Sequence, residues 1–576
     1  MLFPVPPLAE ADAVTLFSQR ARAALPDFTI DGKEEAVKDL CRRLDGLPLA
    51  IELAATRIRL LSVEQINSYI DHSLLLLSSP SRTITPRHKS LHALLDWSYT
   101  LLKPSEQILF QELADFNGGW SIEDAQRVVS TNQPLLELLS SLLDNSLIQT
   151  YEHHAKTPRF VMLETTRQYA LELLAASGAE SVVRQRHALN FLQLAEAAEK
   201  ELWSAQQVAW LARLDCEEDN IRAALQWELA SSEHAASERA LRFVIALEWF
   251  WRIRGKWSEG RFWLMRALAQ SQTFGSIGEL HIQAQVVAGI FVATQYELDY
   301  ATTLLEECIE WYQANGNKFG LGKALHNLGV TCLYKGDYQR ARQLTEAGLP
   351  LIQNNDSACN VLLAFSLLGE IAQEMGDLTV AMNYFHQAQA IIDQHSEQIK
   401  NSWTQGWTYF RMALVAHSSG DLTRLQQLLE QCWKLFDESA SHHGIAKTRY
   451  LYGRLNRAQG DLSQARSLIS ESLAHHRYTH NCSHIASCTE ELAAICCLQG
   501  ETERAARLYG AAAAIRERFR TPLPKIEQAN YDRDLLKLRS AMSEQAYAIA
   551  WASGQQMSLE ETITEALAGN NERSNE

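Results

Sequence analysis

Histidine and cysteine crowd together in one segment, residues 475–488, which reads HHRYTHNCSHIASC. Within it His480, His484 and Cys488 are four residues apart, so a helix would place them on one face. Imidazole nitrogens and thiolates are zinc ligands. Structural zinc sites use four ligands, with cysteines in closely spaced pairs that are missing here, and helical cores bury isolated cysteines readily. We therefore expect no metal, and interpret these residues as part of a helical core.

A phosphate-binding loop requires the pattern G-x-x-x-x-G-K-[ST], whose backbone amides surround the phosphates. The nearest approach is NGNKFGLGKA at residues 315–324, where Gly322 and Lys323 are followed by alanine and the first glycine is out of register. The sequence also lacks a β-strand that ends in an acidic residue able to bind the magnesium ion of such a site. No Ser/His/Asp set, carboxylate pair or other glycine-rich loop stands out. The sequence predicts a chain that is not an enzyme and needs no cofactor.

The amino-acid composition predicts the secondary structure on which any functional site must be built. Glycine (27) and proline (13) are scarce among 576 residues, which favours a mainly α fold with short connections. The net charge of −16 argues against a whole-chain electrostatic grip on nucleic acid or on an anionic membrane. Ten scattered cysteines, no signal peptide and no apolar run of membrane-spanning length predict a cytoplasmic protein with no membrane span.

A dipeptide Gly-Asp, or a close relative, recurs at spacings of 41, 40, 40, 44, 40 and 40 residues. Small residues stand in most units seven positions before it and five positions after it. Two antiparallel helices joined by a tight turn approach closely only where such residues face each other. The sequence therefore predicts helical hairpins stacked in a solenoid. The recurring positions are Gly255, Tyr296, Gly336, Gly376, Gly420, Gly460 and Gly500.

These hairpins resemble tetratricopeptide repeats, with a period longer than the usual one, as in bacterial transcription-activator arrays. Such a solenoid presents a concave surface to partners. The Lys and Asn clamp of peptide-binding tetratricopeptide domains is absent at the equivalent positions, and Phe410, Tyr450 and Arg454 are the anchors that residue type favours there. We expect a protein partner or a small inducer on that surface. The tryptophans between Trp203 and Trp263 are interpreted as hairpin core and end cap, with a ligand-binding aromatic surface as the alternative.

The first 175 residues lack the 40-residue period. Gly46, Leu47, Pro48 and Leu49 form a joint between two predicted helices, with glycine suited to the helix stop and proline to the restart. With the preceding Leu-Phe helix, this joint resembles the helical lid of the NB-ARC class of STAND signal-transduction ATPases. The resemblance implies that Pro48 would abut a bound adenine, if a nucleotide-binding core were in place. Met1 falls where such a core should already have ended, so we expect the distal portion of such a protein.

Residues 85–120 and the helices that follow look like the winged-helix domain of bacterial STAND regulators. Many NB-ARC proteins carry Met-His-Asp here, with the histidine on the nucleotide phosphate, but this chain has Met162, Leu163 and Glu164. Leucine cannot make that contact. The predicted DNA-facing helices, 122–129 and 135–144, carry one basic residue, Arg127, so we expect no DNA binding by this domain. A basic cluster lies on a linker instead: Arg82, Arg87, His88 and Lys89.

The predicted fold class is therefore mainly α, with a helical lid and a winged helix followed by a tetratricopeptide-like solenoid. The resemblance implies a regulatory protein that senses an inducer or partner on the solenoid. A free-standing scaffold and a DNA-binding regulator are the alternatives; the partner's identity and the oligomeric state stay open. The predicted segments are a lid at 1–80, a winged helix at 81–176, a Trp-rich opening at 177–275, repeats at 276–520 and a helical tail at 521–576.

Overall fold

The structure is a computed structural model of the chain. It describes residues 8–44, 46–68, 86–152, 158–275, 278–353, 358–395, 402–479, 481–519, 521–523 and 525–568. It is mainly α-helical, as predicted, and it divides into two compact units. Unit 1 is drawn from residues 1–193 and 215–227, and unit 2 from residues 194–214 and 228–576. None of the described helices is both long and apolar enough to cross a bilayer.

Unit 1 opens with three helices and a short 3-10 turn at Arg57–Arg59. The predicted stop and restart lies between the second and third helices: Gly46 has a φ of +62°, and Pro48 occupies the first helical turn. Phe17 and Ile51 are fully buried, so the helices share a core. The helices are α1 (Glu10–Ala24), α2 (Glu34–Arg43) and α3 (Pro48–Thr56).

A winged helix follows. Two short strands, β1 (Gln149–Glu152) and β2 (Pro158–Val161), pair antiparallel with Thr150 opposite Phe160. Trp120 forms a β-bridge to the other side of Phe160, and its fully buried ring stacks on the phenylalanine ring at 6.4 Å. The helices are α4 (Pro86–Thr100), α5 (Pro104–Leu113), α6 (Ile122–Val128), α7 (Leu135–Asp144) and α8 (Glu164–Ser177).

A buried polar cluster fixes the segment after these helices to the wing. Arg159 of β2 forms an ion pair with Glu217. The fully buried Asn220 accepts a hydrogen bond from the Asn117 N–H (2.7 Å) and donates one to the Gly119 carbonyl (2.9 Å). Removing one partner from a buried ion pair of this kind strongly destabilises the fold, because the other charge is left buried and unpaired. The helices here are α9 (Glu180–Glu201), α10 (Gln207–Cys216) and α11 (Glu218–Ala230).

Unit 2 contains the predicted array of hairpins. A single helix, α12 (His234–Ala246), precedes it. The first helices of the hairpins are α13 (Glu248–Arg254), α15 (Glu279–Ala293), α17 (Lys318–Lys335), α19 (Ala358–Glu374), α21 (Ser402–Ser419), α23 (His442–Gln459) and α25 (Cys482–Leu498). The second helices are α14 (Trp257–Thr273), α16 (Leu298–Asn315), α18 (Tyr338–Gln353), α20 (Leu378–Gln394), α22 (Leu422–Glu438), α24 (Leu462–Tyr478) and α26 (Thr502–Arg518).

The Gly-Asp dipeptide, or its relative in the other units, marks the turn inside each hairpin. Gly376 ends α19 with a φ of +86°, and Asp377 caps α20 by accepting the Val380 N–H at 3.1 Å. One residue thus ends a helix in the left-handed region and the next begins another helix. All seven recurring positions have positive φ, including Tyr296 at +63°. The repeat register predicted from the sequence is therefore confirmed.

The small residues that stand seven positions before most of the turns are helix contacts. A Cβ on Gly289 would come within 2.7 Å of Leu305, and one on Gly453 within 2.5 Å of Ile469. In both pairs the partner lies sixteen residues later, on the second helix of the same hairpin. A larger residue at either position would have to displace the side chain that packs against it, so small residues suit this crossing.

The array curls until it touches itself. Arg254, at the end of α13, donates to the Ser439 carbonyl at 3.1 Å across 185 residues. The Trp403 N–H donates to Gln207 at 3.3 Å across 196 residues. At a period of about 40 residues, one superhelical turn therefore takes four to five hairpins. Three tryptophans pack together at these contacts: the Trp249 ring lies against Trp203 (4.4 Å) and Trp403 (5.9 Å).

Three helices complete unit 2: α27 (Lys525–Ser540), α28 (Glu544–Gln555) and α29 (Leu559–Leu567). α28 packs on α26 through two glycines, and a Cβ on Gly510 would collide with the Trp551 carbonyl. α27 contacts both α19 and α26, helices from distant hairpins. The tail therefore covers the last hairpin with one pair of helices, while α27 packs between hairpins.

Substitutions at Gly376 separate backbone strain from packing, because a Cβ there meets no atom within 4 Å. We expect Gly376→Ala to destabilise unit 2 by about 1 kcal/mol, since alanine is disfavoured at positive φ. Gly376→Asn should cost less, because asparagine tolerates the left-handed region. Thermal unfolding midpoints of the two variants and the wild type measure this order. Equal effects of alanine and asparagine would refute the strain argument.

Candidate functional site

The three predicted anchors meet at one cavity in unit 2. Phe410 comes from α21, and Tyr450 and Arg454 come from α23. All three line a cavity of about 160 Å³, together with residues of α25, α26 and α27. These residues come together because stacked hairpins bring equivalent positions of successive first helices side by side. Whether they bind a partner stays a prediction.

Arg454 contacts its own chain. Its guanidinium makes a two-pronged ion pair with Glu527 of α27, at 2.6 and 2.7 Å, and its Nε lies 3.0 Å from Glu491 of α25. The side chain of Arg454 is 2% exposed. Burial raises the pKa of Glu527, but the guanidinium outweighs burial and leaves that pKa below its usual range. Arg454 therefore holds α27 in place, and it could reach a partner only if α27 moved.

A second arginine repeats the contact one turn further along α23. Arg457 pairs with Asp534 of α27 at 2.9 Å and with Glu491 at 3.0 Å. On the other side of the cavity, Arg516 of α26 forms a two-pronged pair with Glu490, both arms at 2.6 Å. Each of these cavity carboxylates therefore faces a guanidinium.

Lys447 differs from the other charged groups at the cavity. Among the described residues, no carboxylate lies within 4.0 Å of its ammonium. The ammonium lies over the rings of Trp407 (5.3 Å) and Phe410 (5.9 Å), a cation–π arrangement. Burial lowers the pKa of Lys447 to about 8. The repeat positions that predicted Tyr450 and Arg454 do not include Lys447, which lies one turn before Tyr450 on the same helix.

The lid motif lies in unit 1, far along the chain from this cavity. Leu47 precedes α3 as its cap residue, and Pro48 begins the helix. The side chain of Leu49 is outside the described part. The nearest approach to a phosphate loop is a helix: Gly320 and Gly322 lie within α17, and a Cβ on Gly322 would come within 2.7 Å of Ile352. These glycines serve helix packing, and their amides do not form a loop.

The second helix of a winged-helix motif usually contacts DNA. Here that helix is α7, which has no lysine or arginine. The exposed residues of α7 include Leu136, Glu137 and Asp144, and Arg127 is exposed on α6. Arg57 is buried beside α7, where it donates to Asn145 at 2.8 Å. The basic cluster predicted on the linker lies outside the described side chains: Arg82, Arg87, His88 and Lys89.

The predicted stripe of possible zinc ligands is not assembled within the described residues. Cys488 is buried and its thiol contacts the Ser472 hydroxyl at 3.7 Å, and burial raises the pKa of that thiol to about 12. His480 lies outside the described residues. His484 instead packs against His476 of α24, with ring centres 4.7 Å apart.

Similar proteins are known for parts of the chain and for most of its length. Residues 102–175 match a family model described as a winged helix-turn-helix domain. The chain is 28% identical to the Mycobacterium tuberculosis protein named "Putative HTH-type transcriptional regulator", over 99% of this chain and 77% of that protein. An uncharacterized protein of the same species is 34% identical over 33% of this chain and 50% of its own length. A solved STAND protein with a tetratricopeptide repeat sensor, from Pyrococcus horikoshii, covers 92% of this chain and 75% of its own, with 15% identity and a TM-score of 0.42.

The arginine contacts of α27 make its docking testable. We expect Glu527→Gln with Asp534→Asn to increase amide hydrogen exchange throughout α27, because it leaves Arg454 and Arg457 without these partners. Removing one side of a buried pair costs about 3 to 5 kcal/mol. Hydrogen exchange with mass spectrometry on the full chain gives the measurement. Asp532→Asn, at an exposed position of the same helix, is the matched control.

The same pairs predict the pH dependence of docking. The pKa of Glu527 is lower in the folded protein than in the unfolded chain, so its contribution is present at neutral pH and is lost as the pH falls through that lowered value. In the hydrogen-exchange experiment, amide protection of α27 that stays unchanged in the Glu527→Gln, Asp534→Asn variant would contradict the role of these ion pairs in holding α27.

Proposed function

We propose that this chain is a non-catalytic regulatory protein that recognises a partner or small inducer at the cavity between α21, α23, α25 and α27. The observation that carries the proposal is the ammonium of Lys447, which has aromatic walls and lacks a carboxylate within ion-pair distance among the described residues. We assign to the cavity a ligand group that is anionic and flat, such as a carboxylate on a ring or a short chain.

The volume of the cavity supports a small chemical group as its ligand. The cavity of about 160 Å³ is close to the roughly 150 Å³ of an engineered cavity that holds benzene, and well below the 300 Å³ or more of a drug-sized site. It therefore suits a small inducer or a single side chain of a protein partner. Phe410 and Tyr450 would contact the apolar part, and Lys447 would bind the charge.

The regulatory assignment draws on both units. The winged-helix match and the relative named as a transcriptional regulator support a role in transcriptional control. We propose that the chain is organised into a lid, a winged helix, a Trp-rich opening, the repeats and a tail, with the bounds predicted from the sequence. The lid motif, Gly46 to Leu49, would contact nucleotide only with a core supplied from elsewhere. None of the ten cysteines is in a disulfide, which is consistent with a cytoplasmic location.

DNA binding through the winged helix is the second candidate, because the family match is to a winged helix-turn-helix domain. Such domains place the second helix of the motif in the major groove. That helix corresponds to α7, which has no lysine or arginine and exposes Glu137 and Asp144. Phosphate contacts depend on cations. Recognition of a partner on the solenoid is therefore the function that we favour.

A carboxylate probe tests the cavity. We expect benzoate to bind the full chain near pH 7 and benzamide, its uncharged counterpart, to bind much more weakly. Lys447→Met should weaken benzoate binding about 10-fold to 100-fold, the range of a lost charge-assisted hydrogen bond. Because the pKa of Lys447 is about 8, benzoate affinity should fall as the pH rises through that value. Isothermal titration calorimetry measures all three effects.

Lys434→Met, at an exposed lysine of α22, is the control and should leave benzoate affinity unchanged. Equal binding of benzoate and benzamide, or a full benzoate response in Lys447→Met, would sink the proposed ligand class.

Nucleotide provides the second test of function. We expect fluorescently labelled ADP not to bind this chain and ATP turnover to be absent, because residues 318–324 lie in a helix and not in a phosphate loop. Lys323→Ala should change nothing. Saturable ADP binding that Lys323→Ala abolishes would mean that this segment is a nucleotide site and that the chain is a candidate ATPase.

A further inference from the structure

Three histidines from two hairpin helices converge beside the cavity. His443 lies in the first turn of α23, and His475 and His476 lie in the last turn of α24. The nitrogen atoms available for coordination lie within 4.8 Å of one another. The ring centres are 5.4 Å apart for His475 and His476, 5.7 Å for His443 and His476, and 6.2 Å for His443 and His475.

Three of the six ring nitrogens in this group are buried and have no hydrogen-bond partner among the described residues. His476 is fully buried, yet neither of its ring nitrogens has a partner among the described residues, and Nε2 of His475 is in the same state. By contrast, the buried His281 contacts the Ser271 hydroxyl at 3.1 Å. Buried polar atoms are nearly always hydrogen-bonded, and each exception requires an explanation such as an ion.

We propose that His443, His475 and His476 form a binding site for a divalent transition metal of the zinc class. Neutral imidazoles are ligands for such ions, and three histidines with an open fourth position are a known zinc set. Tetrahedral zinc with bonds of about 2.0 Å would bring the nitrogens to about 3.3 Å from one another. The three nitrogens, now within 4.8 Å of one another, would therefore have to move closer together when the ion binds.

His484 of α25 stands next to this group. Its ring centre is 4.7 Å from that of His476 and 6.1 Å from that of His443. It also lines the cavity, and its Nδ1 lies 3.1 Å from the Asn481 side-chain oxygen. A bound ion would therefore link α23 and α24 directly and would have α25 within reach for a fourth ligand.

Two cations near the site oppose the ion. Lys447 lies one turn after His443 on α23, and Arg449 lies close to His475. Their charge weakens the affinity for a second cation, so zinc should bind Lys447→Met more tightly than it binds the wild type. This direction is opposite to the expected effect of the same substitution on benzoate, so the two proposals fail independently.

Zinc titration of the full chain tests the site. The protein for this titration is prepared without a histidine tag, and any bound metal is first removed with a chelator. We expect calorimetry to give one zinc per chain, and His443→Gln with His475→Gln to weaken binding at least about tenfold, the lower bound for loss of a supporting group in a metal site. His386→Ala, at an exposed histidine of α20, is the matched control and should bind like the wild type.

Copper supplies a positional readout that does not depend on affinity. The ring of Trp407 lies 5.7 Å from that of His443. We expect one equivalent of Cu²⁺ to quench a part of the tryptophan fluorescence that is absent from Trp407→Phe. His476→Ala should bind neither ion, with circular dichroism verifying that it is folded. Stoichiometric zinc binding that survives in the double variant, or no zinc binding by the folded wild type, would overturn the proposal.

Discussion

The close approach of the two helices in each hairpin is the constraint on which the rest of unit 2 depends. It requires a small residue at one crossing, as at Gly289 and Gly453, and a left-handed residue at the turn. Because both requirements recur at nearly the same spacing, each hairpin is rotated by a similar amount relative to the last. Small equal rotations add up to a superhelix. Its pitch brings the first hairpin against the fifth, where Trp249 meets Trp403.

The self-contact narrows the inside of the array. The aromatic rings of Trp203, Trp249 and Trp403 fill one part of it, and α27 packs against helices as distant as α19 and α26. A surface that is open in a short solenoid is thus largely used by the chain itself. What is left near α23 is a cavity of about 160 Å³, which has room for a chemical group but not for a helix. The proposed ligand of this cavity is therefore a small group and not a long peptide.

The sequence predicted the features that are local or periodic. The turn spacing predicted the register of every hairpin, and it assigned Tyr296 to a position where glycine usually stands. Equivalent positions of successive hairpins are neighbours, so Phe410, Tyr450 and Arg454 could be expected to lie near one another. The partners of Arg454 could not, because Glu527 is 73 residues away in a helix without the repeat. His443 was missed for a different reason: it meets His475 and His476 only through side-chain packing between α23 and α24, which the repeat spacing does not specify.

The contacts of α27 divide ligands of the cavity into two kinds. A partner that needs Arg454 must replace both arms of the Glu527 pair, and an equilibrium shifts only by the difference in affinity between its two states. The cost of breaking a buried pair, about 3 to 5 kcal/mol, corresponds to a factor of more than 100 in affinity. A ligand that binds Lys447 leaves those pairs intact. Small anions and protein partners would thus act on different parts of one surface, and only the second kind would have to move α27.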